Sequence, residues 1–138
     1  MELNHEDHKD HEGLAAGLEN LARAVVDAGL NVHRTLGPGL LESAYEHCLA
    51  YELGTRGIPL QRQVALPIVY RETVLDAGYR LDIVVAKSVV IEIKAVDSLT
   101  RLHEAQVLTY LRLSGYRLGF LMNFNVPMFK QGVRRFVL

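Results

Sequence analysis

The chain has 138 residues, 49% of them hydrophobic, and a mean hydropathy of +0.09, which fits one domain with a real core and excludes wholesale disorder. Its single cysteine, Cys48, excludes an intramolecular disulfide, and no apolar run approaches a membrane span or a signal peptide, so a reducing cytoplasm with no membrane contact is the expected setting. The formal charge is −1, but five acids and one lysine fall in the first twelve residues, leaving 14 basic against 11 acidic residues and none of the strongly basic stripe of a non-specific DNA binder.

Residues 1–12 are polar and charged without a periodic apolar face, and read as a mobile tail ahead of one domain over 13–138. His5, His8 and His11 recur at threes in that tract. Without a carboxylate or cysteine partner they read as solvated tail and not as a metal site. Over residues 14–35, Leu14, Leu18, Leu21, Val25, Leu30 and Val32 recur near helical spacing and predict an amphipathic helix. Gly37, Pro38 and Gly39 stop it, and His33 reads as a histidine at the helix C-terminus. A second helix is expected from Leu40 or Leu41 to about Thr55, with Gly57 and Pro59 beyond its end. Glu42, Tyr45 and Glu46 lie on its neighbouring turns, with Glu42 near the start, where the macrodipole favours an acid.

Residues 60–70 predict a strand in which Pro67 requires an edge or a bulge. Arg71, Glu72 and Thr73 make a turn, and Val74 and Leu75 begin a return that Asp76, Ala77 and Gly78 interrupt. The stretch 79–96, YRLDIVVAKSVVIEIKAV, then reads as two apolar strands in a hairpin. Leu81, Ile83 and Val85 want the same core as Val89, Ile91 and Ile93, so the loop must hold an odd number of residues, most simply Ala86, Lys87 and Ser88. Asp82, Glu92 and Lys94 then share the opposite face. Two carboxylates and an ammonium converging at mid-sheet are costly unless a bound cation takes up the excess negative charge, which is the pattern of a divalent-metal site with a lysine beside it.

Further on, residues 98–113 predict a helix with Ser98 as N-cap and Leu102, Val107, Leu108 and Leu111 on its buried side. His103, Gln106 and Tyr110 fall one turn apart on a shared face. A strand over 117–124, a loop over 125–131 containing Pro127 and a last strand over 132–138 complete the chain. The element pattern predicts an α/β (α+β) domain with a mixed sheet flanked by helices.

Three ordered stretches carry a family resemblance. Gly39-Leu40-Leu41-Glu42-Ser43-Ala44-Tyr45 is similar to the motif of the GxxExxY proteins, a branch of the PD-(D/E)XK nuclease superfamily. Asp82 with Glu92-Ile93-Lys94 resembles the superfamily's metal-binding motif, and Gln106-Val107-Leu108-Thr109-Tyr110 resembles the QxxxY element of its RecB-like branch. Leu81 stands where the superfamily's name has proline, at a position that carries no ligand. The resemblance runs from about Leu21 to Leu138 and implies a restriction-endonuclease-like core. It further implies metal-dependent hydrolysis of phosphodiester bonds in nucleic acid, DNA in the first instance. By the same resemblance Asp82, Glu92 and the main-chain carbonyl of Ile93 hold Mg2+ or Mn2+, with Glu42 approaching it through water. Lys94 orients the nucleophile, while Gln106 and Tyr110 orient the site or contact the nucleic acid; His103, by its place one turn before Gln106, is expected within reach of a phosphate or a carboxylate in the same role.

Two rival readings use the same residues. One is a catalytically silent nucleic-acid-binding or protein-interaction module on this fold. The other is an ion cluster of little energetic value on the sheet surface. A domain of this size offers limited surface for gripping a duplex, so a homodimer or a partner protein is an expectation of either functional reading.

Overall fold

The structure, a computed structural model, describes residues 15–138. The predicted tail and its histidine triplet lie outside those residues. The elements are α1 (Ala16–Leu36), α2 (Glu42–Thr55), β1 (Leu60–Ala65), β2 (Ile68–Tyr70), β3 (Thr73–Leu75), β4 (Arg80–Val85), β5 (Val89–Lys94), α3 (Arg101–Ser114), β6 (Leu118–Asn123), a 3-10 turn (Phe129–Gly132) and β7 (Val133–Val137).

Five strands form one mixed sheet in the order β1-β4-β5-β6-β7. β5 and β6 pair in parallel through the α3 crossover, and every other pair is antiparallel. That central pair is covered on both faces, which is why VVIEI and LGFLM read as nearly unbroken apolar runs. α1 and α2 cover one face, where Val25, Leu49, Ile83, Ile91, Phe120 and Met122 pack together. α3 covers the other, packing Val107 and Leu111 on Val84, Val90 and Leu121. The predicted mixed sheet flanked by helices is the observed architecture. Among the described residues no helix is long and apolar enough to cross a membrane.

Local departures from the sequence reading have local causes. The strand predicted over 60–70 divides at Leu66-Pro67: Leu66 is buried and donates its N–H to Tyr79 O at 2.9 Å. Beyond Pro67, which has no N–H to continue a ladder, the chain leaves the main sheet, and β2 and β3 pair only with each other. α3 is capped by Thr100 and not by Ser98. The Thr100 hydroxyl accepts the His103 N–H at 3.2 Å, and His103 Nδ1 accepts the Thr100 N–H at 3.0 Å. Leu102, expected on the buried side, is 77% exposed, since five residues place it about 140° from Val107 around the helix.

The loop into α2 is held by a tyrosine. Tyr45 is fully buried, stacks on Phe124 with ring centroids 4.6 Å apart, donates its hydroxyl hydrogen to Gly37 O at 2.6 Å and accepts the Leu40 N–H at 3.1 Å. Gly37 turns there at φ +69°, a region that favours glycine. Tyr45→Phe should keep the stack, lose both bonds and lower unfolding stability by about 1–2 kcal/mol in a urea titration.

Candidate active site

The hairpin register is the one parity requires. Ile83 pairs with Ile91, Val84 with Val90 and Val85 with Val89, leaving Ala86, Lys87 and Ser88 as the loop. Past the Ile83–Ile91 pair the backbone ladder stops, and side chains take its place. Asp82 Oδ2 accepts the Ile93 N–H at 2.8 Å, and Glu92 Oε2 accepts the Asp82 N–H at 3.0 Å. Each strand thus gives an N–H to the other's carboxylate. This exchange breaks the pleat of β4, so that Leu81 packs on the α3 side with Val84 and Val90 and does not join Ile83 as alternation predicted.

The two carboxylates are held close in a poorly solvated place. Glu92 is 4% exposed. Burial and the neighbouring Asp82 charge push its carboxyl up to about 8, against the opposing pull of the Asp82 N–H and Lys94. Burial likewise raises Asp82, against the Ile93 N–H bond and Lys94, while the Glu46 charge adds to the rise. Lys94 follows on the same face of β5, half-buried, with Nζ 3.5 Å from Gln106 Oε1. Tyr110 follows Gln106 one turn on along α3, and its hydroxyl pKa is raised first by burial and then by the charge of Glu92. The sheet register and the α3 face therefore bring Asp82, Glu92, Lys94, Gln106 and Tyr110 together.

Glu42 reaches the same strand end from α2: its Oε2 accepts the Ala95 N–H at 3.3 Å, one residue beyond Lys94. His103 lies one turn before Gln106 on α3, and its Nδ1 accepts the Thr100 N–H in the cap of that helix.

Three further residues belong to the surroundings. Glu46, one turn after Glu42 on the same helix face, is the α2 acid whose charge bears on both Asp82 and Glu92; that i, i+4 spacing was its signal. It is buried and held by Arg62 at 3.0 Å and by Gln63 at 2.8 Å. Gln63 sits in the left-handed region at φ +51°, and its amide nitrogen spans Glu46 Oε1 and, at 3.4 Å, Asp82 Oδ1. Nothing in LQRQ distinguishes that glutamine from its exposed neighbours. Asn123, on β6 opposite Lys94, accepts the Val96 N–H at 3.0 Å and donates to Val96 O at 2.9 Å, fixing the chain as it leaves β5.

The donor set suits a hard cation. Asp82 and Glu92 each spend one oxygen on a backbone N–H; the other Glu92 oxygen, and Asp82 Oδ1 with only the long 3.4 Å contact from Gln63, would be the ones to take a ligand role. The Ile93 carbonyl leaves β5 on the same edge as the N–H that Asp82 holds, where the ladder to β4 is open. Among the described residues no group of three or more His, Cys, Asp or Glu side chains could hold a metal. Two carboxylates and a carbonyl would leave about half of an octahedral shell to water, and magnesium keeps several waters.

No curated protein and no solved structure matches the chain. A family model does, over residues 19–136, and its description is the PD-(D/E)XK nuclease superfamily. The matched span runs from the first turn of α1 to the last strand and takes in both carboxylates, the lysine two residues after the second and the sheet that sets their register. The chain therefore belongs to the PD-(D/E)XK nuclease superfamily.

Proposed function

We propose that this protein is a divalent-metal-dependent nuclease of the GxxExxY branch that hydrolyses phosphodiester bonds, with DNA as its substrate. The carrying observation is the reciprocal lock between Asp82 and Glu92, which holds two carboxylates together at the cost of raising both of their pKa values. A cation would relieve that cost, and such stored electrostatic stress is characteristic of functional sites.

In this reading Asp82, Glu92 and the Ile93 carbonyl hold Mg2+ or Mn2+, and Glu42 approaches through water. When bound, the cation supplies Lewis acidity to the scissile phosphate and acidifies an adjacent water. Lys94, steered by Gln106, orients the attacking water and offsets charge that develops on the phosphate oxygens. Glu46 and Gln63 are positioning residues acting through Asp82. The fold works in the cytoplasm, and a homodimer or a partner protein supplies additional grip on the substrate.

The test is a cleavage screen over linear, circular and single-stranded DNA and over RNA, in magnesium, manganese and chelator, with Lys94→Ala as control. Cleavage that needs the cation and disappears in the variant supports the proposal. No cleavage in any lane, with salt-dependent but metal-independent binding, would make the chain a binding module on this fold. Within the nuclease reading, Gln63→Ala should slow turnover about tenfold, the usual effect of losing a group that orients a ligand. Initial rates at saturating substrate check this.

A further inference from the structure

The β2–β3 ribbon leaves the main sheet beside the carboxylates, and the chemistry described so far makes no use of it. It is bonded only to itself, and Val69, Tyr70, Val74 and Leu75 are each more than half exposed. A lone two-stranded ribbon is marginal in water, and exposed apolar side chains in such a group mark a contact surface.

Its foot is part of the site's rim. Tyr79, 44% exposed, sets its ring edge-on to Tyr110 with centroids 6.3 Å apart, and Tyr110 is within reach of the charges of Glu92 and Asp82. Its turn carries Tyr70, 67% exposed, with the Arg71 guanidinium 5.5 Å from the ring centroid. Tyrosines therefore stand beside the carboxylates, at the foot of the ribbon and at its turn.

Resting on the nuclease reading, we propose that the ribbon is a stacking arm for unpaired bases, and that single-stranded nucleic acid is the substrate class it leads to the carboxylates. Bases inside a duplex have both faces covered, so exposed tyrosines cannot stack on them, whereas every unpaired base offers a face whatever its identity. A duplex is gripped chiefly through its phosphates, but around the arm Arg71 and Arg80 are matched by Glu72 and Asp76. A protein partner would cover the valines and the leucine without needing Tyr79, whose ring faces into the rim of the site.

The experiment measures affinity of the full chain for a labelled single-stranded oligonucleotide and for the duplex of the same sequence, in chelator, by fluorescence anisotropy. Binding without metal keeps this result separate from the cleavage assay. The single strand should bind about tenfold or more tightly than the duplex. Tyr70→Ala and Tyr79→Ala should each weaken it about tenfold and leave duplex binding unchanged. Tyr79→Phe, which keeps the ring, should restore most of the affinity. Equal affinity for the two substrates, or alanine variants that bind the single strand as wild type does, would overturn the arm even if the protein cleaves. Alanine variants that instead change the sedimentation coefficient would assign the ribbon to a protein contact and overturn it as well. Tyrosine-dependent single-strand binding in a chain that never cleaves would uphold the arm and refute the nuclease.

Discussion

Asp82→Asn should reduce metal-dependent cleavage by about 10²–10³-fold or more without unfolding the protein. Asparagine retains an oxygen that can accept the Ile93 N–H now bonded to Asp82 Oδ2, so the strand exchange that shapes β4 and β5 has a substitute. It cannot supply the charge that a hard cation draws on. A magnesium titration of initial rates should therefore show weaker apparent metal affinity as well as a lower maximum. Lys94→Ala should lose a comparable factor in the maximum while keeping the metal midpoint, because the ammonium acts on the nucleophile and the phosphate. If Asp82→Asn cleaves at the wild-type rate, the carboxylate pair is a structural ion cluster and the site lies elsewhere.

The part of this site that was legible in the sequence is the part fixed by strand periodicity. Three charged residues in two Val- and Ile-rich runs, with one odd loop length, place Asp82, Glu92 and Lys94 near one another, and the register agrees. Periodicity could not foresee Leu81. The pleat holds only while backbone groups bond each other, and here two carboxylates replace the ladder, which turns Leu81 to the α3 side. Thr100 was missed in favour of Ser98 because both residues cap well. The choice falls to the reciprocal bond with His103 three residues on, a capping box closed by a histidine where glutamate or glutamine is the usual signal. The role of Gln63 is likewise invisible in sequence: it depends on a left-handed backbone angle and on Glu46 arriving from α2.

Glu92→Gln should make the metal-free protein more stable at alkaline pH while abolishing cleavage. The Glu92 carboxyl is raised from 4.5 to about 8 in the fold. An unfolded chain releases that proton near 4.5, whereas the folded chain keeps it until about pH 8, so the folded state binds more protons across that window. Stability from this group is therefore fully present below pH 4.5 and is lost as pH rises through about 8, above which the fold carries a buried charge beside Asp82. The loss is on the order of a few kcal/mol, equivalent to roughly 10–15 °C in melting temperature for a chain of this size. Glutamine cannot ionise, and its amide oxygen can still accept the Asp82 N–H. Melting curves from pH 4.5 to 9 in chelator should thus fall for wild type and stay flatter for the variant, the two separating as pH rises. Magnesium should return part of the lost stability to wild type and little to the variant, because only the ionised carboxylate repays the cation. Parallel curves in chelator would mean that Glu92 carries no buried charge. Equal magnesium effects on both proteins would remove Glu92 from the metal site.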